Sequence, residues 1–536
     1  MFAQAINAPN IKISTGFEEI KQRLVVYSQV AINNYTIAVR DVILLTCRDN
    51  DNITPTHYSI TAVGYDYYFG LVTTAYEEAE GDNSTYKSTM YEYCPDNQEF
   101  LALFDKGNGS ERYPYVIKTK EGLNAIRYFA DRYFVIDNDI NYNGTWNTIE
   151  KDFVYNVIKD GHTIAEIEFD GTFTGVVDGQ NHYVYNLNST SLNSAFVEEN
   201  AGTIKNLNLQ VDFQAKEITN ATGTPKMAGV AILNTGLIDN VHVGKYVVSG
   251  GVSFESIISI DKISLGVAVE ATASRVGGIA SRSTGIISNS SVDANIYAVD
   301  SVRQGTSAGN AAFAGGIVAE LDGTEDKAEI KAKIINSYFA GNITSNIVGG
   351  IASAVSGDVE IERCYIKEFV DSEEVDRTIL TGTDLNTSEY SIYERIIVGG
   401  LVAMTTSGSK VAIYDSYSLA TIYIERNEND NNNTSIGGIV AFVHNSTSSL
   451  NIDGCYVLIN AYSNIDNTGE LVTLYGLTPN KPTSTQGVVS GYYIIHEENA
   501  ISVENGVGEQ VTTEQLKTKL DSGVYDIESE GYPTLK

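Results

Sequence analysis

Hydrophobic positions along this chain fall in short, β-branched runs bounded by glycine, and the body of the sequence sustains no apolar period of 3.6 residues. Such a pattern predicts strands rather than helices. Between residues 226 and 478 it recurs as a two-part repeat. The first part is a small-residue doublet followed by aliphatics: Ala228-Gly229-Val230, Gly277-Gly278-Ile279, Gly315-Gly316-Ile317, Gly349-Gly350-Ile351, Gly399-Gly400-Leu401 and Gly437-Gly438-Ile439. The second opens with Ile and usually ends in a small residue plus Tyr: Ile238 to His242, Ile287 to Ser291, Ile334 to Tyr338, Ile361 to Tyr365, Ile413 to Tyr417 and Ile452 to Tyr456.

The second glycines, at 229, 278, 316, 350, 400 and 438, are separated by steps of 49, 38, 34, 50 and 38. Fixed strand cores with variable steps describe a constant unit carrying loops of different length. No proline occurs from 226 to 478, as expected where backbone N–H groups are needed for strand pairing. The Gly doublet is expected at a tight corner. Stacked repeats bury one another's apolar faces, so the predicted fold class is mainly β, a right-handed parallel β-helix (solenoid).

A resemblance supports that prediction. Gly171-Thr172-Phe173-Thr174-Gly175-Val176-Val177-Asp178-Gly179-Gln180-Asn181-His182, followed by a strand from Tyr183 to Leu187, resembles the opening of GLUG-type β-helix modules. The entry segment is similar too: Pro114 to Lys118, a helical stretch from Glu121 to Phe129, then Tyr133 to Ile140. So is the end, with Thr512 to Lys517 and a terminal Gly531 to Lys536. The resemblance covers roughly residues 113 to 536. It implies a structural repeat, as in bacterial surface proteins and tailed-phage spike or fibre proteins, with Asp178 and Gly179 as structural residues of its motif; Gly229, Gly278, Gly316, Gly350, Gly400 and Gly438 are the structural residues of the repeat read above.

The first 112 residues lack the repeat. Thr15 to Leu24 reads as a capped amphipathic helix with acids in its first turn. Tyr35 to Val39, Val42 to Thr46 and Tyr65 to Phe69 read as strands. The expected organisation is therefore a small α+β N-terminal attachment domain over 1–112, a parallel β-helix with GG[IL][VA] repeats over 113–500, and a C-terminal capping segment over 501–536.

Composition narrows the function classes. Lys plus Arg total 35 against 68 Asp plus Glu, a formal charge of −33. Phosphate neutralisation needs clustered bases, so a nucleic-acid partner is not expected. No basic n-region with an apolar h-region opens the chain, and no run of 18 apolar residues is present, so neither a secretory signal nor membrane insertion is expected. The four cysteines, Cys47, Cys94, Cys364 and Cys455, lack CxxC spacing, and the six histidines are scattered, so no zinc site is signalled. Cys364 and Cys455 share a repeat column with Ser290, Ser337 and Ser416, which indicates packing rather than nucleophilic chemistry.

Carboxylates at Asp170, Asp178, Glu320, Asp322, Glu362 and Asp415 offer material for an acid–base pair on a polysaccharide, although Asp170-Gly171 and Asp178-Gly179 are turn signals. Oxygens of the tract Asn427 to Thr434 could coordinate Ca²⁺, without the spaced pattern of a dedicated loop; no other cofactor is expected. Tyr68, Tyr86, Tyr91, Tyr93, Tyr390 and Tyr393 could stack on sugars or dock a partner. No catalytic motif is recognised, and catalytic, cofactor-binding and metal residues are expected to be none.

The expected function is structural and adhesive: a phage virion-associated spike, fibre or decoration protein displaying its repeats for host-surface or glycan contact. A polysaccharide-degrading enzyme and a bacterial cell-surface adhesin are the alternatives. Partners would be virion or surface assembly proteins at the N-terminal domain and a host-surface glycan. A homo-oligomer is compatible, and the location would be the virion or the bacterial surface.

Overall fold

The computed structural model describes most of residues 114–536. The longest segments outside that description are 217–224, 266–273, 304–308, 325–330, 384–395, 427–433, 465–471 and 480–484, and before residue 104 only the backbone of six strands is described. The chain divides into two compact units, one of residues 1–140 with 151–182, the other of 141–150 with 183–536.

In the first unit, the strands Ile11–Ile13, Arg23–Ile32, Tyr35–Thr46 and His57–Ser59 pair antiparallel, and Gly70–Glu77 pairs antiparallel with Thr85–Glu92. Among the described residues before 104, the region expected to be α+β shows antiparallel strands alone. Arg23 and Leu24, read as the end of a helix, lie in a strand. The rest of that predicted helix and the predicted strand Tyr65 to Phe69 lie outside the described residues. Further along, helix α1 (Lys120–Asn124) starts where the Oγ1 of Thr119 accepts the N–H of Gly122, and a 3-10 turn, Ala125–Tyr128, continues it. The following strand, Tyr133–Ile136, pairs in parallel with Val176–Asp178.

The second unit carries the repeat. Each short strand ending in the glycine doublet pairs in parallel with its equivalent in the next repeat, giving a nine-stranded sheet from Asn193–Ser194 through Arg275–Gly277 and Ile347–Gly349 to Val503–Glu504. The strands after the doublet pair equally in register, Ala280 with Val318, Val318 with Ala352 and Ala352 with Val402. Long strands then carry one face into the next: Ala352–Glu362 pairs with Val318–Gly323 through its first half and with Ala332–Ile335 through its second. The expected fold class is corrected accordingly. The chain is mainly β, but its parallel strands make a closed barrel with additional strands outside it, not an open right-handed solenoid.

The interior is a set of aliphatic columns. Ile204, Ile238, Ile287, Ile334, Ile361, Ile413 and Ile452 stack at 0% exposure, as do Ile279, Ile317, Ile351, Leu401, Ile439 and Leu477. Each such side chain contributes roughly 1.5–3 kcal/mol by leaving water. β-Branched residues suit the columns because their stiff χ1 packs on a pleated surface.

The C-terminal segment folds back over one flank of the second unit. Helix α2 (Thr513–Lys519) opens with a capping box between Thr512 and Gln515, and Tyr525–Asp526 pairs antiparallel with Thr534–Leu535. Leu516, Leu520 and Tyr525 are buried against Tyr417, Tyr456, Leu458 and Ile494. The hydroxyl of Tyr525 donates to the carbonyl of Gly454 at 2.8 Å, and Tyr456 donates to that of Pro533.

Candidate functional site

The glycine column is a site of close approach rather than a corner. None of Gly229, Gly278, Gly316, Gly350, Gly400 and Gly438 has a positive φ. A Cβ on Gly229 would sit 2.6 Å from the carbonyl oxygen of Gly278. On each later member it would meet the corresponding oxygen of the next repeat still more closely, the last being that of Gly476. Gly476 is thus a further member, at a step of 476 − 438 = 38, missed because Tyr475 replaces the first glycine. The surviving signal was the pair Gly476-Leu477.

The tight corner lies three residues into the second half of the repeat. Asn186, Asn206, Asn240, Asn289, Asn336, Arg363, Asp415 and Gly454 all have φ between 47° and 67°. Asparagine tolerates this left-handed conformation because its amide can bond locally. Here the amides bond between repeats: Asn240 Nδ2 donates to Asn206 Oδ1 at 2.9 Å, and Asn336 Nδ2 to Asn289 Oδ1 at 3.1 Å. Arg363 replaces the amide with its guanidinium, donating through Nε to Asn336 Oδ1 at 3.1 Å.

The next residue completes the corner. Ser337 Oγ donates to the Ile335 carbonyl at 2.8 Å and accepts the Ser290 N–H at 3.2 Å. Cys364 and Cys455 occupy the same column, fully buried. The Cys364 Sγ faces the carbonyls of Glu362 and Ile334 at 3.3 and 3.4 Å, and burial pushes both thiols up to about 12. Neither is a nucleophile in this setting. One residue further on, the rings of Tyr338, Tyr365, Tyr417 and Tyr456 stack with successive centroids 5.0 Å apart.

The expected carboxylates have separate fates. Asp178 Oδ1 accepts the Gln180 N–H at 3.0 Å, and the His182 N–H donates to the Gly179 carbonyl at 2.8 Å, so Asp178-Gly179 forms a turn. Glu320 pairs with Arg275 at 3.1 Å. Asp322, 3% exposed, pairs with Arg282 and accepts bonds from Thr324 N–H and Ser356 Oγ at 2.8 and 3.0 Å. Burial works against its charge, but those hydrogen bonds prevail and hold the carboxyl below its usual range. Asp415 is raised, by burial first and then by the nearby charges of Glu362, Asp453 and Asp521, against the opposing charge of Arg363. Asp170 lies outside the described residues, as do Tyr68, Tyr93, Tyr390, Tyr393 and residues 427–433 of the Asn-rich tract; Tyr86 and Tyr91 lie in a strand described by its backbone alone. Among the described residues no group of three or more His, Cys, Asp or Glu side chains is placed to hold a metal ion. No described helix is long and apolar enough to cross a membrane.

A concavity of about 480 Å³ in the second unit, open to solvent, was not anticipated. Asn188, Ser189, Thr190, Asp212, Gln214 and Lys216 line it. Strands Tyr183–Ser189 and Thr203–Lys216 pair in parallel with Asn188 beside Asp212, and the two-residue period of the second strand puts Asp212, Gln214 and Lys216 on one face. Gln214 Nε2 donates to Asp212 Oδ1. An amide cluster flanks the cavity: Asn188 Nδ2 donates to Asn186 Oδ1 at 3.2 Å, and Asn186 Nδ2 to the Oδ1 atoms of Asn141 and Asn143 at 3.2 and 3.3 Å. The residues were legible only as alternate polar positions of a strand, a pattern shared by any solvated sheet face.

No known family profile matches the chain, and no curated protein matches it. Two solved structures are similar in part. One, from Bacteroides ovatus, is provisionally described as an immunoglobulin A1 protease; it shows 15% identity and a TM-score of 0.41 over 81% of this chain and 95% of its own. The other is described as an IgA1 protease, with 14% identity and a TM-score of 0.41 over 84% of this chain. The chain spans 27% of that second protein's length.

Proposed function

We propose that this protein is a structural and adhesive scaffold that displays its repeats for contact with a surface glycan. The observation that carries the reading is the continuity of the ladders. Glycine-to-carbonyl contacts, left-handed corner residues and stacked tyrosines recur through successive repeats of the second unit. Repeats that differ in step from 34 to 50 residues keep this register. Parallel strands held in register fix surface groups at a constant spacing while sequence between them varies, which suits display more than one localised reaction. The carboxylates Glu320 and Asp322 are each committed to an arginine, consistent with a supporting role. A setting on a virion or on a bacterial surface follows from the sequence resemblance.

The test is to apply the full chain to arrayed bacterial surface glycans, then analyse the same glycans after incubation. Retention without new reducing ends or unsaturated products is expected. Release of such products would replace the adhesive reading with the depolymerase one.

A further inference from the structure

We infer that the concavity formed by Asn188, Thr190, Asp212, Gln214 and Lys216 is the contact site for a neutral saccharide. The inference rests on the adhesive reading above and names its site and ligand class. The strand carrying Asp212 is paired on both sides, with Tyr183–Ser189 through Asn188 and with Ile257–Asp261 through Ile257. No backbone edge is therefore offered at this point for an added peptide strand, and recognition must come from side chains.

Those side chains carry donors and acceptors together. Asn188 and Gln214 supply amide donors and acceptors, Thr190 a hydroxyl, Asp212 a carboxylate, and Lys216 an ammonium at the rim. Neighbouring groups stand about 4.8 Å apart across strands and about 6.6 Å apart along one. A sugar ring, with apolar C–H faces and hydroxyls around its edge that are each both donor and acceptor, meets these polar groups and the aliphatic stems beside them better than a purely anionic ligand. The flanking amides of Asn141, Asn143 and Asn186 are already ordered by mutual hydrogen bonds, so little side-chain entropy is lost in extending the contact. A formal charge of −33 repels polyanionic glycans, which favours a neutral ligand.

The experiment titrates the full chain with neutral oligosaccharides of four to six hexose units, covering α- and β-linkages, by calorimetry. At least one should bind, and Asp212→Ala and Gln214→Ala should each weaken it tenfold or more. Their circular dichroism and melting should stay those of the parent, and Glu509→Ala, outside the concavity, should bind normally. Parent-like binding by both cavity variants would overturn this site while leaving the adhesive reading intact. Binding of acidic oligosaccharides alone, or of extended peptides in their place, would also overturn it. Failure of the parent chain to retain any glycan, neutral or acidic, would defeat both proposals.

Discussion

Replacing Gly350 with alanine tests the close approach that sets the spacing between repeats. The added methyl would collide with the carbonyl oxygen of Gly400 and lie 2.6 and 2.8 Å from the Cδ1 and Cγ1 of Ile366. Ile366 is fully buried and cannot swing aside, so the backbone must move. Overpacking of this kind costs about 1–3 kcal/mol. Movement also strains two bonds between repeats, from Gly350 N–H to the Gly399 carbonyl at 3.2 Å and from Ile351 N–H to that of Leu401 at 2.9 Å. At about 0.5–1.5 kcal/mol each, the expected total is about 2–6 kcal/mol. Gly408→Ala is the control: its φ is 76° and nothing lies within 4 Å, so only the left-handed penalty of about 1–2 kcal/mol applies. Proteins open locally as well as globally, so native-state hydrogen exchange at Ile351 and Leu401 should accompany urea denaturation. A Gly350→Ala protein with an unchanged midpoint and unchanged protection there would refute the packing argument.

Four other outcomes are expected. Cys364 and Cys455 should resist alkylation until denaturant is added, and Cys364→Ser should cost under about 1 kcal/mol, since serine fills the same column elsewhere; rapid native labelling would contradict the burial. Because burial raises both thiols from an ordinary 9.0 to about 12, the folded state favours their neutral form. That contribution is complete below pH 9 and disappears as pH rises towards 12, so stability should fall over that window and fall less in a Cys364→Ser, Cys455→Ser double variant; equal pH profiles would be the contrary result. Asn336→Ala should cost about 2–5 kcal/mol, combining the penalty at φ 50° with lost bonds to Asn289 and from Arg363, whereas Asn336→Gly should cost less; equal melting shifts would show that the corner is unstrained. Truncation before Val511 should uncover Tyr417 and Tyr456, raising dye binding by exposed apolar surface; a truncated chain with parent-like dye binding would show that the segment does not cover them.

Much of the frame was legible because parallel stacking leaves a periodic mark on sequence. The doublets, the Ile that opens each second half and the small residue before tyrosine repeat because each contacts its own equivalent, so one environment selects one residue type many times. The burial of Cys364 and Cys455 could be read in this way from the serines sharing their column. What each member of a column does was decided in three dimensions. Glycine is required at Gly350 by a neighbouring carbonyl contributed from fifty residues away, not by its own φ, and nothing local distinguishes the two. The left-handed corner fell instead on asparagine, arginine and aspartate, whose variety hid the shared backbone conformation. Strand closure and the fold class were likewise tertiary matters, since in-register repetition specifies which residues stack but not how the stacked sheets close. The concavity at Asp212 arises from two strands whose polar positions look like ordinary solvated alternation. Only their pairing sets Asn188 beside Asp212, and side-chain chemistry becomes a site when separate strands bring it to one place.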